Sequence, residues 1–249
     1  YLNKRIKMFV ARSSWTRNML MNWGINGNKV VVIPCAVDME KWKPRDNCNE
    51  TLRMSNFIYA GSINKNKGVN ILYDSFKKIY KKIEKGKPFE NWLSLYIVSG
   101  EFNNDDNLMQ QLKASAEYRD SNFLRIFVYP WGQLSYILRQ GGIVFVHPQS
   151  YDIGEPLQFG HPLLFALSSG LPIISLNQGS AQDFIVDNWN GFLCETCGDI
   201  GKAMQYFIDN PTEIERMGKN SKKRAIERYS SEKIGEKYKN IYEEILNEN

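Results

Sequence analysis

The sequence predicts an α/β fold, a doubly wound parallel sheet with helices on both faces. Apolar runs of strand length recur between stretches of helical periodicity, and most are continuous, as in strands buried on both faces. Strands that alternate with helices favour right-handed crossovers and a parallel sheet. The predicted strands are Met8–Ala11, Val30–Ile33, Phe57–Ala60, Leu93–Val98, Leu124–Val128, Ile143–Val146 and Ile173–Leu176.

The segment after Lys67 has the clearest helical pattern. Its apolar residues recur every three or four positions, and most of its lysines fall on the opposite face. A solvated helix face is the simpler interpretation of the lysines at 77–82. A nucleic-acid or anionic-membrane adaptor that uses this lysine face is the alternative.

Length and composition exclude several classes of protein. The chain has 249 residues, 43% hydrophobic and 24% charged, which is ordinary for a globular protein and argues against disorder. A net charge of +5 is too small to indicate nucleic-acid binding, and no apolar run approaches the roughly 20 residues of a membrane span. Since the first ten residues lack a signal peptide's apolar core, we expect a cytoplasmic location, with peripheral membrane association as the alternative. The first residue is Tyr1, which leaves open that the chain is an internal piece of a longer polypeptide.

Four scattered cysteines fit a reducing compartment better than a disulfide scaffold. Cys194 and Cys197 have the spacing of half a zinc site, but the two histidines, His147 and His161, are not spaced as a ligand pair. We therefore expect ordinary thiols at the end of a strand and no bound metal.

The junction between the strand ending at Ala60 and the helix after Lys67 is the first candidate binding segment. Gly61 lets the backbone approach a ligand closely, and Lys67 places a cation near the amides of a helix start, an arrangement suited to phosphate. An ordinary turn with a surface lysine is the alternative. The segment is neither a Walker A loop nor a GxGxxG fingerprint, which removes the main support for kinase and dehydrogenase functions.

The second candidate segment is a predicted helix that begins near Pro162 and ends at Gly170, with Pro172 beyond. The amides of Leu163 and Leu164 are expected to face an anion above this helix. A buried helix packed on the sheet is the alternative. Further along, Gly179 opens a short helix, and Asn190–Gly191 forms a turn into another short strand.

In this order, these segments resemble the donor-binding half of GT-B glycosyltransferases, specifically the retaining glycosyltransferase family 4. Upstream, Val32–Asp38 is similar to the linker of that family, and Ser13–Thr16 to the start of its preceding helix. Five positions depart from the family pattern. Ser62 replaces an arginine, Phe165 replaces the glutamate that grips the ribose, and Ser180 and Asp183 replace a glycine and the glutamate of the G-G-x-x-E segment. Leu157 falls on the first glutamate of a paired motif unless a two-residue insertion brings Glu155 there. The other matching segments are Gly61, Lys67–Gly68, Phe159–Leu164, Ala166, Ser169–Ile174, Gly179 and Asn190–Gly191.

The resemblance implies a Rossmann-like domain that transfers a sugar from a nucleotide sugar with retention of configuration, without a metal or other cofactor. Glu155 and Lys67 would be catalytic, with Lys67 on the diphosphate and Glu155 near the donor sugar. The loop at Tyr129–Pro130 would contact the base, and His161 the donor sugar. The remaining donor-binding positions implied are Gly61, Ser62, Gly68, Gly160, Leu163, Leu164 and Phe165.

The resemblance also implies a division of the chain and a set of partners. Residues 1–50 would close an acceptor-side domain, 51–229 would bind the nucleotide sugar, and 230–249 would form a crossing helix. The partners would be a UDP-, GDP- or ADP-linked sugar, an acceptor glycan, lipid or protein, and an acceptor-side domain or second chain. The alternative is a non-catalytic module that scaffolds an active partner, which the Ser62 and Phe165 departures favour.

Overall fold

The structure is a computed structural model that describes residues 6–43, 56–84, 93–100, 105–115, 123–128, 134–139, 143–149 and 160–247. The Pro, Asn, Asp and Arg content of residues 43–55 predicts a linker there, and this stretch lies outside the described residues except for Lys43. The described strands are β1 (Phe9–Ala11), β2 (Val30–Val32), β3 (Asn56–Ala60), β4 (Leu95–Ser99), β5 (Leu124–Val128), β6 (Ile143–His147), β7 (Ile173–Leu176) and β8 (Gly191–Cys194).

Six of these strands form one sheet in the order β5-β4-β3-β6-β7-β8, and every described pairing in it is parallel. The chain thus builds the sheet outward from β3 to one edge, then returns to β6 and builds to the other edge. Strands β1 and β2 form a separate parallel pair. The predicted parallel α/β sheet is confirmed, and the Asn190–Gly191 turn leads into β8 as expected.

The strand residues alternate between two cores on opposite faces of the sheet. In β3, Phe57 and Tyr59 point into one core, while Ile58 and Ala60 point into the other. All five residues of β3 are buried, whereas the edge strand β5 is partly exposed. Burial on both faces explains why the central strands appear in the sequence as continuous apolar runs.

Helices cover both faces of the sheet, as predicted. The described helices are α1 (Ser14–Asn22), α2 (Val69–Glu84), α3 (Asp106–Ala114), α4 (Leu134–Leu138), α5 (His161–Ser168), α6 (Ala181–Phe184), α7 (Cys197–Asp209), α8 (Thr212–Tyr229) and α9 (Ser231–Asn247). Helices α2, α3, α7 and the first half of α8 pack on one face, and α4, α5 and the last turns of α8 on the other. The described ranges also contain 3₁₀ turns at Gly27–Lys29 and Lys65–Lys67.

Strand β4 begins two residues later than its apolar pattern predicts. The Ser94 N–H donates to Asn56 Oδ1 at 3.1 Å rather than to a strand carbonyl, so the ladder begins at Leu95. A side-chain acceptor that competes with the sheet is invisible to hydrophobic periodicity.

Helix α9 packs its apolar stripe on the β1–β2 pair at the other end of the chain. Ile234 and Ile241 are buried against Ile33, with Met8 and Val31 packed around them. The sequence places Ile234, Tyr238, Ile241 and Ile245 on one stripe of the terminal helix. The first forty residues cover this stripe in part. The division into 1–50, 51–229 and 230–249 stays a prediction.

No helix in the described ranges is long and apolar enough to cross a membrane. Cys194 ends β8, whereas Cys197 begins α7 rather than ending a strand, and neither forms a disulfide with a described cysteine. In the part of the chain that the structure describes, no three His, Cys, Asp or Glu residues are grouped to hold a metal ion.

Candidate functional site

The order of the six-stranded sheet reverses between β3 and β6, which form its switch point: the chain builds toward β5 from β3 and toward β8 from β6. Strand β3 leads into α2 on one face, while its neighbour β6 leads toward α5 on the other. A crevice opens at the carboxyl ends of such a strand pair, and it is the usual ligand site of doubly wound folds. The two segments that the sequence marks as candidates, Gly61–Gly68 and the start of α5, follow these two strands.

The turn that carries Lys67 has a rigid backbone. Asn64 Oδ1 accepts the Lys67 N–H at 3.0 Å, and the Gly68 N–H donates to the Lys65 carbonyl oxygen at 2.9 Å. Gly68 has φ 72°, and a Cβ there would collide with the Pro148 carbonyl oxygen. Glycine is therefore needed both for the left-handed backbone and for the contact with the segment after β6.

The Lys67 side chain reaches across the crevice to that same segment. Its Nζ lies 3.4 Å from Gln149 Oε1, and Gln149 is only 6% exposed. No carboxylate among the described residues forms an ion pair with Lys67. The sequence marks Lys67, which lies beside the crevice, as a candidate, but it does not point to Gln149. The one signal available for Gln149 was its position two residues after β6.

His147, the last residue of β6, is also close to Lys67. Burial, and secondarily the charge of Lys67, lowers the pKa of His147 to about 4. The imidazole is therefore neutral at pH 7. His147 and Gln149 are both uncharged, so neither of these neighbours compensates the positive charge of Lys67.

Gly61 and Ser62 are held at the end of β3 by Tyr59. The buried Tyr59 hydroxyl donates to the Ser62 carbonyl oxygen at 2.9 Å, and the Gly61 N–H donates to the Val98 carbonyl oxygen at 3.0 Å. A Cβ at Gly61 would collide with the Tyr59 hydroxyl. Glycine is thus required here by packing, and the serine that replaces the family's arginine contributes no charge to the crevice.

Helix α5 begins at His161 with Gly160 as its N-cap and Pro162 in its first turn, and Gly170 follows its end with φ 71°. The predicted free amide at Leu164 is wrong: its N–H donates to the Gly160 carbonyl oxygen at 2.9 Å. Leu164 is the first residue of α5 whose N–H has a carbonyl oxygen four residues earlier in the helix, that of the N-cap Gly160. The Leu163 amide, one residue earlier, belongs to the turn whose N–H groups lack an acceptor inside the helix.

The Phe165 side chain has a packing role rather than a polar one. Its ring stacks on Trp42 with centroids 4.2 Å apart and an angle of 7° between the planes. Trp42 is buried and lies just before the expected linker at 43–55. Phe165 also lies near His161, with 6.2 Å between ring centroids. The pKa of His161 is lowered by its partial burial and then by the charge of Arg12.

Three of the predicted site residues, Glu155, Tyr129 and Pro130, lie outside the described residues, as does Leu157. Their assigned roles stay predictions. The remaining predicted residues follow β3 or form the first turns of α5, so the structure brings them to one end of the sheet.

Asp183 makes a contact that the sequence does not predict. Its Oδ2 accepts the Ser14 N–H at 2.8 Å at the start of α1, and its carbonyl oxygen accepts from Arg224 at 2.8 Å and Tyr229 at 2.5 Å. A cavity of about 250 Å³ lies beside it, lined in part by Arg12, Arg228 and Lys237. The carboxylate thus ties the first forty residues to the six-stranded sheet domain.

The strand order defines a Rossmann-like domain, with Lys67 beside the crevice at its switch point. Residues 40–224 match the family model described as glycosyl transferases group 1. This match covers well over half of the chain, and the chain belongs to that family.

Curated relatives point the same way. The chain is 26% identical to the capsular polysaccharide biosynthesis glycosyltransferase CapM of Staphylococcus aureus, over 100% of this chain and 66% of CapM. It is 34% identical to the N-acetyl-alpha-D-glucosaminyl L-malate synthase of Bacillus anthracis, over 38% of this chain and 25% of that enzyme. The chain therefore spans less than two thirds of the length of these relatives.

Solved structures show the same fold. Anabaena Alr3699/HepE in complex with UDP and glucose superposes with a TM-score of 0.76 at 15% identity, over 97% of this chain and 64% of that one. A glycosyltransferase from Rickettsia africae ESF-5 superposes with a TM-score of 0.76 at 19% identity, over 98% of this chain and 64% of that one. The fold of this chain is that of GT-B glycosyltransferases.

Proposed function

We propose that this chain is the donor-binding half of a glycosyltransferase that moves a sugar from a nucleotide sugar to an acceptor with retention of configuration, without a metal or other cofactor. The observation that carries the proposal is the ammonium of Lys67 at the switch point of the sheet, which no carboxylate of the described residues pairs with. Membership of the glycosyl transferases group 1 family supports it.

The chemistry asked of the crevice is stabilisation of a leaving diphosphate. Negative charge develops on that group as the glycosidic bond breaks, so a fixed cation aimed at it lowers the barrier. Lys67 supplies the cation, and the first-turn amides of α5, Leu163 among them, supply partial positive charge from the other face. With Ser62 in place of an arginine, Lys67 carries more of this task than in the family pattern.

The nucleotide has three candidates. Similar structures were solved with UDP, among them the Anabaena protein and the pneumococcal O-GlcNAc transferase GtfA, which also holds GlcNAc. UDP-linked sugars are therefore the first choice, with GDP- and ADP-linked sugars next. Because Phe165 cannot accept a hydrogen bond, ribose recognition must come from other residues. We assign the base to the loop at Tyr129–Pro130 and the donor sugar to Glu155 and His161.

The acceptor, a glycan, lipid or protein, would be held by a further domain or chain next to β1, β2 and α9. Two facts support this placement. The relatives are longer than this chain, and exposed apolar side chains lie in or next to the elements of this region: Val10 in β1, Trp23 after α1 and Leu246 in α9. We place the protein in the cytoplasm, where nucleotide sugars are available, with its acceptor at a membrane surface as the alternative.

The test is a thermal-shift panel of UDP, GDP, ADP and their sugars. A ligand at 100 times its dissociation constant stabilises the folded chain by about 2.7 kcal/mol, which raises the melting temperature by about 5–10 °C at this length. We expect one nucleotide to give this shift and Lys67→Ala to abolish it.

Lys65→Ala is the matched control, because Lys65 is an exposed lysine of the same 3₁₀ turn, and it should leave the shift intact. No shift with any nucleotide would reject donor binding and favour the scaffolding alternative. Retention and metal independence are tested by NMR of the product anomer and by activity in EDTA, which should be unchanged.

A further inference from the structure

We propose that Gln149 is a positioning residue for Lys67: its buried amide oxygen holds the ammonium at the switch point and leaves the charge available to an anionic ligand. The inference rests on the proposed function, in which that anion is the diphosphate of the donor. It adds a residue from the β6 side of the crevice to the diphosphate site.

Two contacts join the segments that follow β3 and β6. The backbone of Gly68 packs directly on the Pro148 carbonyl, where any side chain would collide. One residue away on each segment, Lys67 Nζ and Gln149 Oε1 are 3.4 Å apart. A main-chain contact therefore fixes the spacing of the two segments, and the side-chain contact sets where the lysine points.

The burial of Gln149 gives this contact its value. A lysine has a long flexible stem, so an ammonium without a fixed partner samples many positions. Gln149 is 6% exposed and follows the fully buried strand β6, so its amide has little freedom. Holding the ammonium before the ligand arrives reduces the ordering cost of binding.

The neutrality of the partner is equally important. An ammonium has three N–H donors, and one hydrogen bond to an amide oxygen leaves two for a ligand. A carboxylate in the same place would pair with Lys67, cancel its charge and repel a diphosphate. His147, neutral at pH 7, likewise adds no charge beside Lys67. Gln149 thus orients the cation without neutralising it.

The test uses two variants of the full 249-residue chain. Gln149→Glu keeps the shape and adds a negative charge, while Gln149→Met keeps the length and removes the acceptor. Binding of UDP, or of GDP or ADP if the wild type prefers it, is measured by isothermal titration. We expect Gln149→Glu to weaken binding about 100-fold and Gln149→Met about 5-fold, given the strength of hydrogen bonds to charged groups.

Two further readouts separate positioning from a structural role. The matching nucleoside, which has no phosphate, should bind both variants as it binds the wild type in an NMR titration. In the Lys67→Ala background, Gln149→Met should cause no further loss, because its effect acts through Lys67. The melting temperatures identify any variant that fails to fold. If Gln149→Glu does not fold, Gln149→Met alone provides the test.

The outcomes distinguish this inference from the function on which it rests. If Lys67→Ala weakens nucleotide binding but both Gln149 variants bind like the wild type, the inference is overturned and the proposed function stands. Equal losses for nucleotide and nucleoside, or full additivity with Lys67→Ala, would also overturn it in favour of a structural role. If the wild type binds none of the nucleotides, the proposed function and the inference fail together.

Discussion

The two sides of the switch-point crevice differ in how they use their side chains. On the β3 side, Gly61, Lys67 and Gly68 keep the glycines and the cation of the family pattern, and each glycine is required by a contact. On the α5 side, Phe165 stands where the family has a ribose-binding glutamate, and it stacks on Trp42. The β3 side presents a cation to the crevice, whereas on the α5 side an aromatic ring packs against the hydrophobic core.

This difference has a physical basis. Anion binding depends on backbone shape and a single charge, which the contact between Gly68 and Pro148 holds in place. Ribose recognition depends on one side-chain acceptor, which can be replaced by an aromatic ring without disturbing the helix that carries it, because phenylalanine fits the half-buried position. The β3 side therefore depends on backbone geometry, whereas the α5 side depends on a single side chain.

The largest expected effect is on the β3 side, from Gly68→Ala. A side chain would be strained at φ 72° and would collide with the Pro148 carbonyl, so we expect a loss of about 3 kcal/mol or more in the free energy of unfolding. Urea denaturation measures this loss. Gly24→Ala is the control: Gly24 has φ 84°, but a Cβ added there would meet no atom within 4 Å, so the substitution should cost about 1 kcal/mol. Equal costs would show that the contact between the two segments is unimportant.

The second prediction concerns the neutral histidine beside Lys67. Folded His147 has a pKa of about 4, against about 6.5 in the unfolded chain, so between these pH values the unfolded chain binds a proton that the folded chain does not. Stability therefore falls as the pH is lowered from 6.5 to 4, by about 3 kcal/mol from this residue. The measurement compares unfolding of the wild type and His147→Leu across this range.

The difference in unfolding free energy between the wild type and His147→Leu should shift by that amount as the pH is lowered. His161→Leu serves as the control, because the less buried His161 on the α5 side should give a shallower pH dependence. Parallel curves for wild type and His147→Leu would contradict the assignment of a neutral histidine beside Lys67.

The smallest expected effect is the coupling between Phe165 and Trp42 on the α5 side. Stacked aromatic pairs contribute about 1 kcal/mol beyond the area that they bury, so a double-mutant cycle with Phe165→Ala and Trp42→Ala should show a coupling of that size. Thermal or urea unfolding of the two single variants and the double variant measures it.

Phe165→Ala should also leave nucleotide affinity within about 3-fold of the wild type, since truncating an apolar ring removes no hydrogen bond from a ligand. Additive losses of stability would contradict the stacking of Phe165 on Trp42. A large loss of nucleotide affinity would indicate that Phe165 contacts the ligand. Either result would narrow the contrast between the two sides of the crevice.

The class of fold and the turn between β3 and α2 can be predicted from the sequence alone. Continuous apolar runs such as the one at Ile143 predict strands buried on both faces, and Gly61, Lys67 and Gly68 predict the turn that lies beside the crevice, because burial and local backbone requirements act residue by residue. The helix from Pro162 to Gly170 was likewise predicted, since proline and glycine act locally at its ends.

Only the tertiary structure decided which residues meet across the crevice. Lys67 pairs with Gln149, Phe165 with Trp42 and Asp183 with Ser14. The two residues of each pair lie between 82 and 169 positions apart in the sequence. The free amide expected at Leu164 was also lost to a hydrogen bond set by the exact start of α5. Such contacts follow from strand order and helix register, which no local pattern of residue types encodes.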